Sequence, residues 1–247
     1  MNATLFTIPG SHPGHTARLM CEAKGLEVKR VDLIPVVSKP ALRAAGFDAV
    51  TVPAVKLDGE RIQGSREIAR ELDRRFPDPP LYPDDPDRRA KVEEAERWGD
   101  EVLQPVPRRV IWNMMGQDRS IGESYLRGAK LGIPVGLAAK TSAPLIYLAK
   151  RFNDAHDEAV KADIAALPGM VDRVDELIAE GVLGGERLNA ADYQIAPSLR
   201  LLMTTDDLRP TIAGRPAGEL AMRVLPDFPG YAPRILPRDW LEPIPTI

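Results

Sequence analysis

Short apolar runs, separated by stretches with helical spacing, predict that strands and helices alternate along the first part of the chain. Residues 4–8 form a β-prone run that ends at Pro9-Gly10, and residues 28–33 alternate apolar with charged side chains, as a half-buried strand does. Between these runs, apolar residues at helical spacing predict a helix that ends near Gly25, because glycine suits the position that follows a helix.

A predicted hairpin and a second amphipathic helix follow. Residues 54–62 form two short strands around Asp58-Gly59, and an Asp-Gly pair between such runs is the strongest short-range signal for a β-hairpin. A short helix is predicted over residues 39–45, before the hairpin. Residues 65–76 carry apolar side chains on one helical face. The predicted order of elements is βαβαββα.

A proline- and aspartate-rich stretch divides the chain. Residues 78–86 cannot continue a helix and predict a linker, so we expect one domain over residues 1–77 and another over residues 87–247. The second domain is predicted to be all helical, with an extended, proline-rich C-terminal tail. Pro105 and Pro107 predict an interruption, because proline inside a helix costs roughly 3 kcal/mol. Further helices are predicted near residues 120–131, 136–151, 157–180 and 190–203 and from Pro216.

Composition and charge exclude several classes of function. The 247 residues are 44% hydrophobic and 28% charged, which suits a full core and two domains. The net charge of −3 does not favour a nucleic-acid partner, and no stretch of eighteen apolar residues predicts a membrane span. We expect a cytoplasmic protein. Cys21 is the single cysteine, so it forms no intrachain disulfide and no Cys-x-x-Cys pair, and its helical position predicts a buried side chain.

The histidines do not predict a metal site. His12 and His15 lie three positions apart, but His156 is the only other histidine, and no cysteine or carboxylate cluster accompanies them. Zinc sites usually need three or four converging ligands. We therefore expect no bound metal.

A strong helix start lies far downstream of the hairpin. Asn189 is a good N-cap residue, and Asp192 stands three positions later, where its carboxylate can reach back to the N–H of the cap. Such a capping box on its own indicates only a well-capped helix.

Together with three features of the first eighty residues, this helix start resembles the glutathione S-transferases. The three features are the Ser11-containing turn after the first strand, Val52-Pro53 before the hairpin, and Ser65 at the start of the third helix. The resemblance covers the first eighty residues closely and residues 157–203 less closely. It implies an α/β thioredoxin-like N-terminal domain followed by an all-α domain, a cis bond before Pro53, and a homodimer.

The chemistry that the resemblance implies is activation of the glutathione thiol for attack on a small hydrophobic electrophile, as in detoxification. A thiol with a pKa of about 8.5 is ionised to only a few per cent at neutral pH, and the thiolate is the nucleophile. A hydroxyl hydrogen bond to the thiolate is worth roughly 1.5–3 kcal/mol, which lowers the thiol pKa by about one to two units. Ser11 is the candidate donor, and its alternative role is to cap the first helix.

The resemblance also implies contacts for the rest of glutathione. Val52 beside Pro53 can pair with the peptide backbone in the manner of a strand edge. Ser65 can hold the γ-glutamyl carboxylate, since anions favour helix N-termini. Lys39 can pair with the glycyl carboxylate.

One position departs from the family. Many relatives carry an acidic residue or glutamine directly before the serine of the third helix, whereas this chain has Gly64, which removes a partner for the γ-glutamyl amine. Gln63 is the nearest substitute. Relatives place the pocket for the electrophile after the first helix of the second domain, and the candidates for it are His12, Trp112 and Met115.

Two classes of function remain open. The first is an enzyme in which Ser11 holds the thiolate. The second is a catalytically silent glutathione-transferase-like binding module, in which the same fold carries a ligand or partner. Gly64 and the weak match over residues 105–156 favour the module, whereas Ser11 and Val52-Pro53 favour the enzyme. Thiol-disulfide exchange ranks lower, because it would prefer cysteine at position 11.

Overall fold

Four strands form a mixed sheet in the N-terminal domain. The computed structural model describes residues 2–34, 38–130 and 142–242. The strands are β1 (Asn2–Thr7), β2 (Glu27–Asp32), β3 (Ala54–Leu57) and β4 (Glu60–Gln63). The order across the sheet is β2-β1-β3-β4, with β1 parallel to β2 and antiparallel to β3, and with β3 antiparallel to β4.

Three helices cover the two faces of this sheet. They are α1 (His12–Ala23), α2 (Ser38–Ala44) and α3 (Ser65–Arg75). Leu5 belongs to the large core that includes residues of α1 and α3, whereas its neighbour Phe6 packs in a smaller cluster with Leu42 of α2. Successive side chains of a strand point to opposite faces, so β1 separates the two clusters. The predicted order βαβαββα and the thioredoxin-like fold are confirmed.

Cys21 is fully buried on α1. Burial, followed by the charge of Glu22, raises the pKa of its thiol to about 12. The thiol therefore stays protonated at neutral pH and behaves as a small apolar side chain, as the sequence predicts.

The interruption predicted at the two prolines takes the form of a π-helical segment. Gly99–Leu103 joins α4 (Pro86–Trp98) to α5 (Pro105–Gln117), and the N–H of Gln104 bonds to the carbonyl oxygen of Gly99 at 2.9 Å. Pro105 then stands first in α5 and Pro107 lies in the same turn. An N–H at those positions would have no intrahelical partner, so the prolines cost little there.

Helices also make up most of the remaining described chain. They are α6 (Ile121–Tyr125), α7 (Ala143–Phe152), α8 (Asp157–Ala179), α9 (Ala190–Leu202), α10 (Arg209–Ala213), α11 (Pro216–Val224) and α12 (Arg238–Leu241). Within the described ranges, no helix is long and apolar enough to cross a membrane.

Several predicted helices differ from the observed ones. The helix predicted over residues 120–131 is a single short helix, α6, and the chain then turns through Gly128 at a φ of 73°. The helix predicted over residues 136–151 is observed as α7, and its earlier part lies outside the described residues. Short helices α10 and α12 were not predicted from the sequence.

The capping box at the start of α9 is present as predicted. The Asn189 side chain accepts the N–H groups of Ala191 and Asp192, and the Asp192 carboxylate accepts the N–H of Asn189 at 2.9 Å. The same carboxylate also accepts the N–H of Gly184 at 2.8 Å. These bonds hold the preceding loop against a helix that is almost entirely buried.

A buried lysine anchors the connection between the two parts of the chain. Nζ of Lys24 donates to the Asp73 carboxylate at 2.9 Å and to the carbonyl oxygens of Phe76 and Pro79. Asp73 in turn accepts the N–H of Leu81 at 2.7 Å. Hydrogen bonds therefore fix the start of the linker to α1 and α3, in addition to the stiffness of its prolines.

A second polar contact joins the linker to α4. The hydroxyl of Tyr82 donates to Oε1 of Glu96 at 2.9 Å, and Arg70 lies 3.3 Å from Oε2 of the same carboxylate without hydrogen-bond geometry. Burial raises the pKa of Glu96 to about 7, against the smaller opposing effects of Tyr82 and Arg70.

The raised pKa of Glu96 predicts a pH-dependent stability. The folded state holds its proton up to about pH 7, whereas the unfolded chain loses it near pH 4.5, so unfolding becomes easier as pH rises between these values. We expect the free energy of unfolding of the wild type to fall by about 3 kcal/mol between pH 4.5 and 8 because of Glu96. Glu96→Gln, which keeps an acceptor for Tyr82, should not show this fall. Urea unfolding of both proteins across this range measures it. Parallel pH curves would contradict the assignment.

Candidate functional site

A cavity of about 430 Å³ opens between the N-terminal domain and the helices that follow it. Its walls come from the start of α1, the loop before Pro53, and one side each of α5 and α7. The volume falls within the range of small-molecule sites. Six of the residues singled out from the sequence line it together: Ser11, His12, Lys39, Val52, Trp112 and Met115.

Ser11 is the N-cap of α1, and this role leaves its proton unused. Its Oγ accepts the N–H of Gly14 at 3.2 Å, and its hydroxyl donates to no described residue. The side chain also borders a smaller cavity of about 30 Å³. The cap and the thiol-binding role are compatible, because the hydroxyl can accept one bond and donate another.

Close packing of α1 on β1 fixes the position of this cap. A Cβ added to Gly14 would lie 1.9 Å from Oγ1 of Thr7, so only glycine allows the helix to approach the strand this closely. The first turn of α1, in which the N–H of His12 has no acceptor among the described residues, is thereby held beside the cavity. Such a helix terminus favours negative charge.

His12 lies in the wall as an uncharged group. It is 3% exposed, and its Nε2 lies 3.0 Å from the carbonyl oxygen of Gln104. Burial, followed by the positive charge of Arg108, lowers the pKa of His12 to about 3. The ring is therefore neutral at pH 7, with Nε2–H donating to this carbonyl oxygen. His12 does not serve as a proton donor or acceptor for catalysis at neutral pH.

His15 faces a different environment. Its ring lies 4.8 Å from that of Phe228, and burial with the charges of Arg18 and Arg30 lowers its pKa to about 3. In the part of the chain that the structure describes, no group of three or more His, Cys, Asp or Glu side chains could hold a metal ion.

Val52-Pro53 is a cis peptide bond, as the resemblance implies. The carbonyl oxygen of Pro53 accepts the N–H of Gly64 at 3.1 Å. The backbone N–H and C=O of Val52 have no hydrogen-bond partner among the described residues. They remain available to a peptide laid along this edge.

Gln63 is used to hold the loop before this bond. Its Nε2 donates to the carbonyl oxygens of Ala49 and Thr51 at 3.0 and 3.1 Å, and its Oε1 accepts the N–H of Ala49 at 2.9 Å. These bonds use both N–H groups of the side-chain amide. It positions the Val52 loop.

Glu67 occupies the space above Gly64. Gly64 has a φ of 89°, where other residues are strained, and a Cβ added there would lie 2.3 Å from Oε2 of Glu67. The Glu67 carboxylate is exposed and makes no ion pair with a described residue. Ser65, the first residue of α3, is buried beside it. The sequence contained the signal for Glu67, an acid in the first turn of the predicted helix.

The remaining predicted residues lie toward the helical side. Nζ of Lys39 stands 4.2 Å from the ring centroid of Phe152 on α7, so this lysine spans the two parts of the chain. Trp112 and Met115 form part of the α5 wall, as does Arg108, which the sequence reasoning missed.

Comparison with known proteins identifies the fold. Residues 5–80 match the family model for the N-terminal domain of glutathione S-transferases. No curated protein sequence matches the chain.

Solved glutathione S-transferases share the fold over most of the chain. The tau-class enzyme of mango, Mangifera indica, is 16% identical, with 91% of this chain and 89% of that chain covered at a TM-score of 0.60. The Sinorhizobium meliloti enzyme is 18% identical, with coverages of 91% and 88% and a TM-score of 0.60. The Methylobacterium radiotolerans enzyme, in complex with glutathione sulfonate, is 21% identical, with coverages of 96% and 99% and a TM-score of 0.50.

The buried His12 predicts an acid-sensitive contribution to stability. The unfolded chain binds a proton near pH 6.5 and the folded chain only near pH 3, so stability falls as pH drops through this interval. We expect His12→Phe to cost about 1 kcal/mol at pH 7.5, through loss of the bond to Gln104. From pH 7.5 to pH 5 the wild type should lose about 2 kcal/mol more than the variant. Urea unfolding at both pH values tests this, and an equal loss in both proteins would contradict it.

Proposed function

We propose that the protein is a glutathione transferase that uses Ser11 to hold the thiolate of glutathione for attack on a small hydrophobic electrophile. The observation that carries the proposal is that Ser11 lines the 430 Å³ cavity at the start of α1 while its hydroxyl donates to no described residue. A glutathione-binding fold and a large adjacent cavity for a second reactant support it.

The Ser11 hydroxyl would act on the ionisation of the thiol. The thiol proton leaves to solvent, and Ser11 then donates its hydrogen bond to the sulfur anion, with the N-terminus of α1 adding a favourable field. The thiolate forms a bond to the electrophilic carbon, and the leaving group departs with its electron pair. A bond worth roughly 1.5–3 kcal/mol lowers the thiol pKa by about one to two units.

The peptide would lie along the edge of the N-terminal domain. Val52 offers a free N–H and C=O to the cysteinyl backbone. Ser65 takes the γ-glutamyl carboxylate at the start of α3, Glu67 takes the γ-glutamyl amine, and Lys39 takes the glycyl carboxylate. A homodimer, cytoplasmic location and a role in detoxification complete the proposal and rest on the family resemblance and the composition.

A catalytically silent binding module is the second candidate. It is favoured by Gly64, which leaves the γ-glutamyl amine without the partner that many relatives provide. The fold would then carry a ligand without turning it over. The module predicts glutathione binding or partner binding but no conjugation of any electrophile.

Calorimetric titration with glutathione, followed by conjugation assays across pH, tests the proposal through Ser11. We expect Ser11→Gly, which keeps most of the capping preference, to shift the pH at which conjugation appears upward by about one to two units. Ser11→Thr retains a hydroxyl and should restore the wild-type profile. No heat with millimolar glutathione, or an unchanged profile in Ser11→Gly, would contradict the proposal.

The placement of Glu67 predicts that its charge supports binding of the amine. We expect Glu67→Gln to weaken glutathione binding roughly twofold to fivefold, the modest size reflecting an exposed pair. Calorimetry with glutathione and with its analogue that lacks the amine measures the effect, and only glutathione should lose affinity. Glu94→Gln, an exposed substitution on α4, is the matched control. Equal losses for both ligands would show that Glu67 does not contact the amine.

A further inference from the structure

Arg108 presents an unpaired positive charge to the large cavity. It stands on α5 one turn before Trp112, and both residues line the same wall. No hydrogen bond or ion pair joins its guanidinium to any described residue. The next arginine along the helix, Arg109, is paired: its guanidinium donates two hydrogen bonds of 2.6 Å to the Asp163 carboxylate.

The Arg108 side chain is half-buried, so its guanidinium is partly withdrawn from water without a charged partner among the described residues. Burial lowers the pKa of Arg108, and the neighbouring charge of Arg109 lowers it further, while Asp100 acts in the opposite direction. Arginine nevertheless stays charged in proteins, and buried charges are normally paired. A charge kept in this position without a partner indicates that its partner arrives with a ligand.

Asp100 does not serve as that partner. Its Oδ1 accepts the side-chain amides of Gln104 at 3.1 Å and Gln194 at 3.3 Å, and no ion pair joins it to Arg108. Asp100 is also absent from the described cavity wall. Arg108 therefore lines the cavity with a positive charge that Asp100 balances only in part.

The rest of the described wall favours an apolar anion. It carries no aspartate or glutamate, and its only other cation is Lys39 near Phe152. His12 is uncharged, and most of the remaining described lining side chains are apolar, among them Ile111, Leu145 and Ile146. A ligand that fills such a space needs a hydrophobic body and one negative charge.

We propose that the cavity selects electrophiles that carry a carboxylate on an apolar body, and that the Arg108 guanidinium binds this carboxylate. The inference rests on the proposed transferase function and names its substrate class. A planar guanidinium matches a carboxylate with two parallel hydrogen bonds. A monoanion suits a single arginine in an apolar cavity better than a dianionic phosphate, because less charge has to be desolvated.

Arg108 and Ser11 then act on different parts of one bound molecule. Arg108 holds the carboxylate at the α5 wall, and the electrophilic carbon of the same molecule points toward Ser11 and the thiolate. Arg108 touches the substrate but not the reacting atoms, so its removal should weaken binding of acids while leaving neutral electrophiles almost unaffected.

A binding experiment without glutathione tests the anion site by itself. Calorimetry compares 2-naphthoate with 2-naphthamide, which share one apolar body and differ in charge. We expect the wild type to bind the acid roughly 10- to 100-fold more tightly, and Arg108→Met to lose this preference with amide affinity unchanged within about twofold. Equal affinities in the wild type, or a preference that survives Arg108→Met, would overturn the inference.

Two further variants serve as controls for the assignment to Arg108. Arg97→Met, at an exposed position near the end of α4, is the matched control and should retain the preference for the acid. Arg108→Lys keeps the positive charge but lacks the planar guanidinium that forms two parallel hydrogen bonds, so it should retain part of the preference for the acid. This variant remains informative if Arg108→Met fails to fold. Loss of the whole preference in Arg97→Met would overturn the assignment to Arg108.

Conjugation assays separate this inference from the proposed function. The substrates are 4-(chloromethyl)benzoate and 4-(chloromethyl)benzamide with saturating glutathione, and we expect kcat/KM to favour the acid only when Arg108 is present. Acid-selective binding without turnover of either substrate would refute the transferase proposal and support the anion site. A tenfold loss of glutathione affinity in Arg108→Met, with the acid preference intact, would place the glycyl carboxylate on Arg108 and overturn the inference.

Discussion

The hydrogen bond between His12 and Gln104 connects the two parts of the site. His12 follows Ser11 at the start of α1, and Gln104 directly precedes α5, so this 3.0 Å contact fixes the thiol-binding turn against the wall of the cavity. Arg108 stands one turn further along the same helix. Because burial keeps the ring uncharged at neutral pH, the contact does not change across the range in which a bound thiol would titrate.

The charges around the site follow the chemistry of the proposed reactants. Glu67 offers a carboxylate at the start of α3, whereas Lys39 and Arg108 offer cations toward the helical side. A zwitterionic peptide lying between Glu67 and Lys39 meets opposite charge at each end, and Ser11 lines the same cavity as both cations. Arg108, which pairs with no described residue, lines this same cavity, where the electrophile would bind.

Local signals in the sequence predicted most of the fold, and the site only in part. The hairpin at Asp58-Gly59 and the capping box at Asn189 depend on residues a few positions apart, so they could be read directly. The contacts of the Gln63 and Glu67 side chains could not, because they depend on how the Val52 loop and α3 pack together. The unpaired state of Arg108 likewise depends on contacts across the whole cavity. The domain bounds and the roles of the site residues stay predictions.

The central claim is that this fold lowers the pKa of a bound glutathione thiol. Ultraviolet difference titration measures it directly, because the thiolate of bound glutathione absorbs where the thiol does not. The account predicts an apparent pKa about one to two units below the value of about 8.5 for a free thiol. A bound thiol that titrates with the same pKa as free glutathione would contradict it.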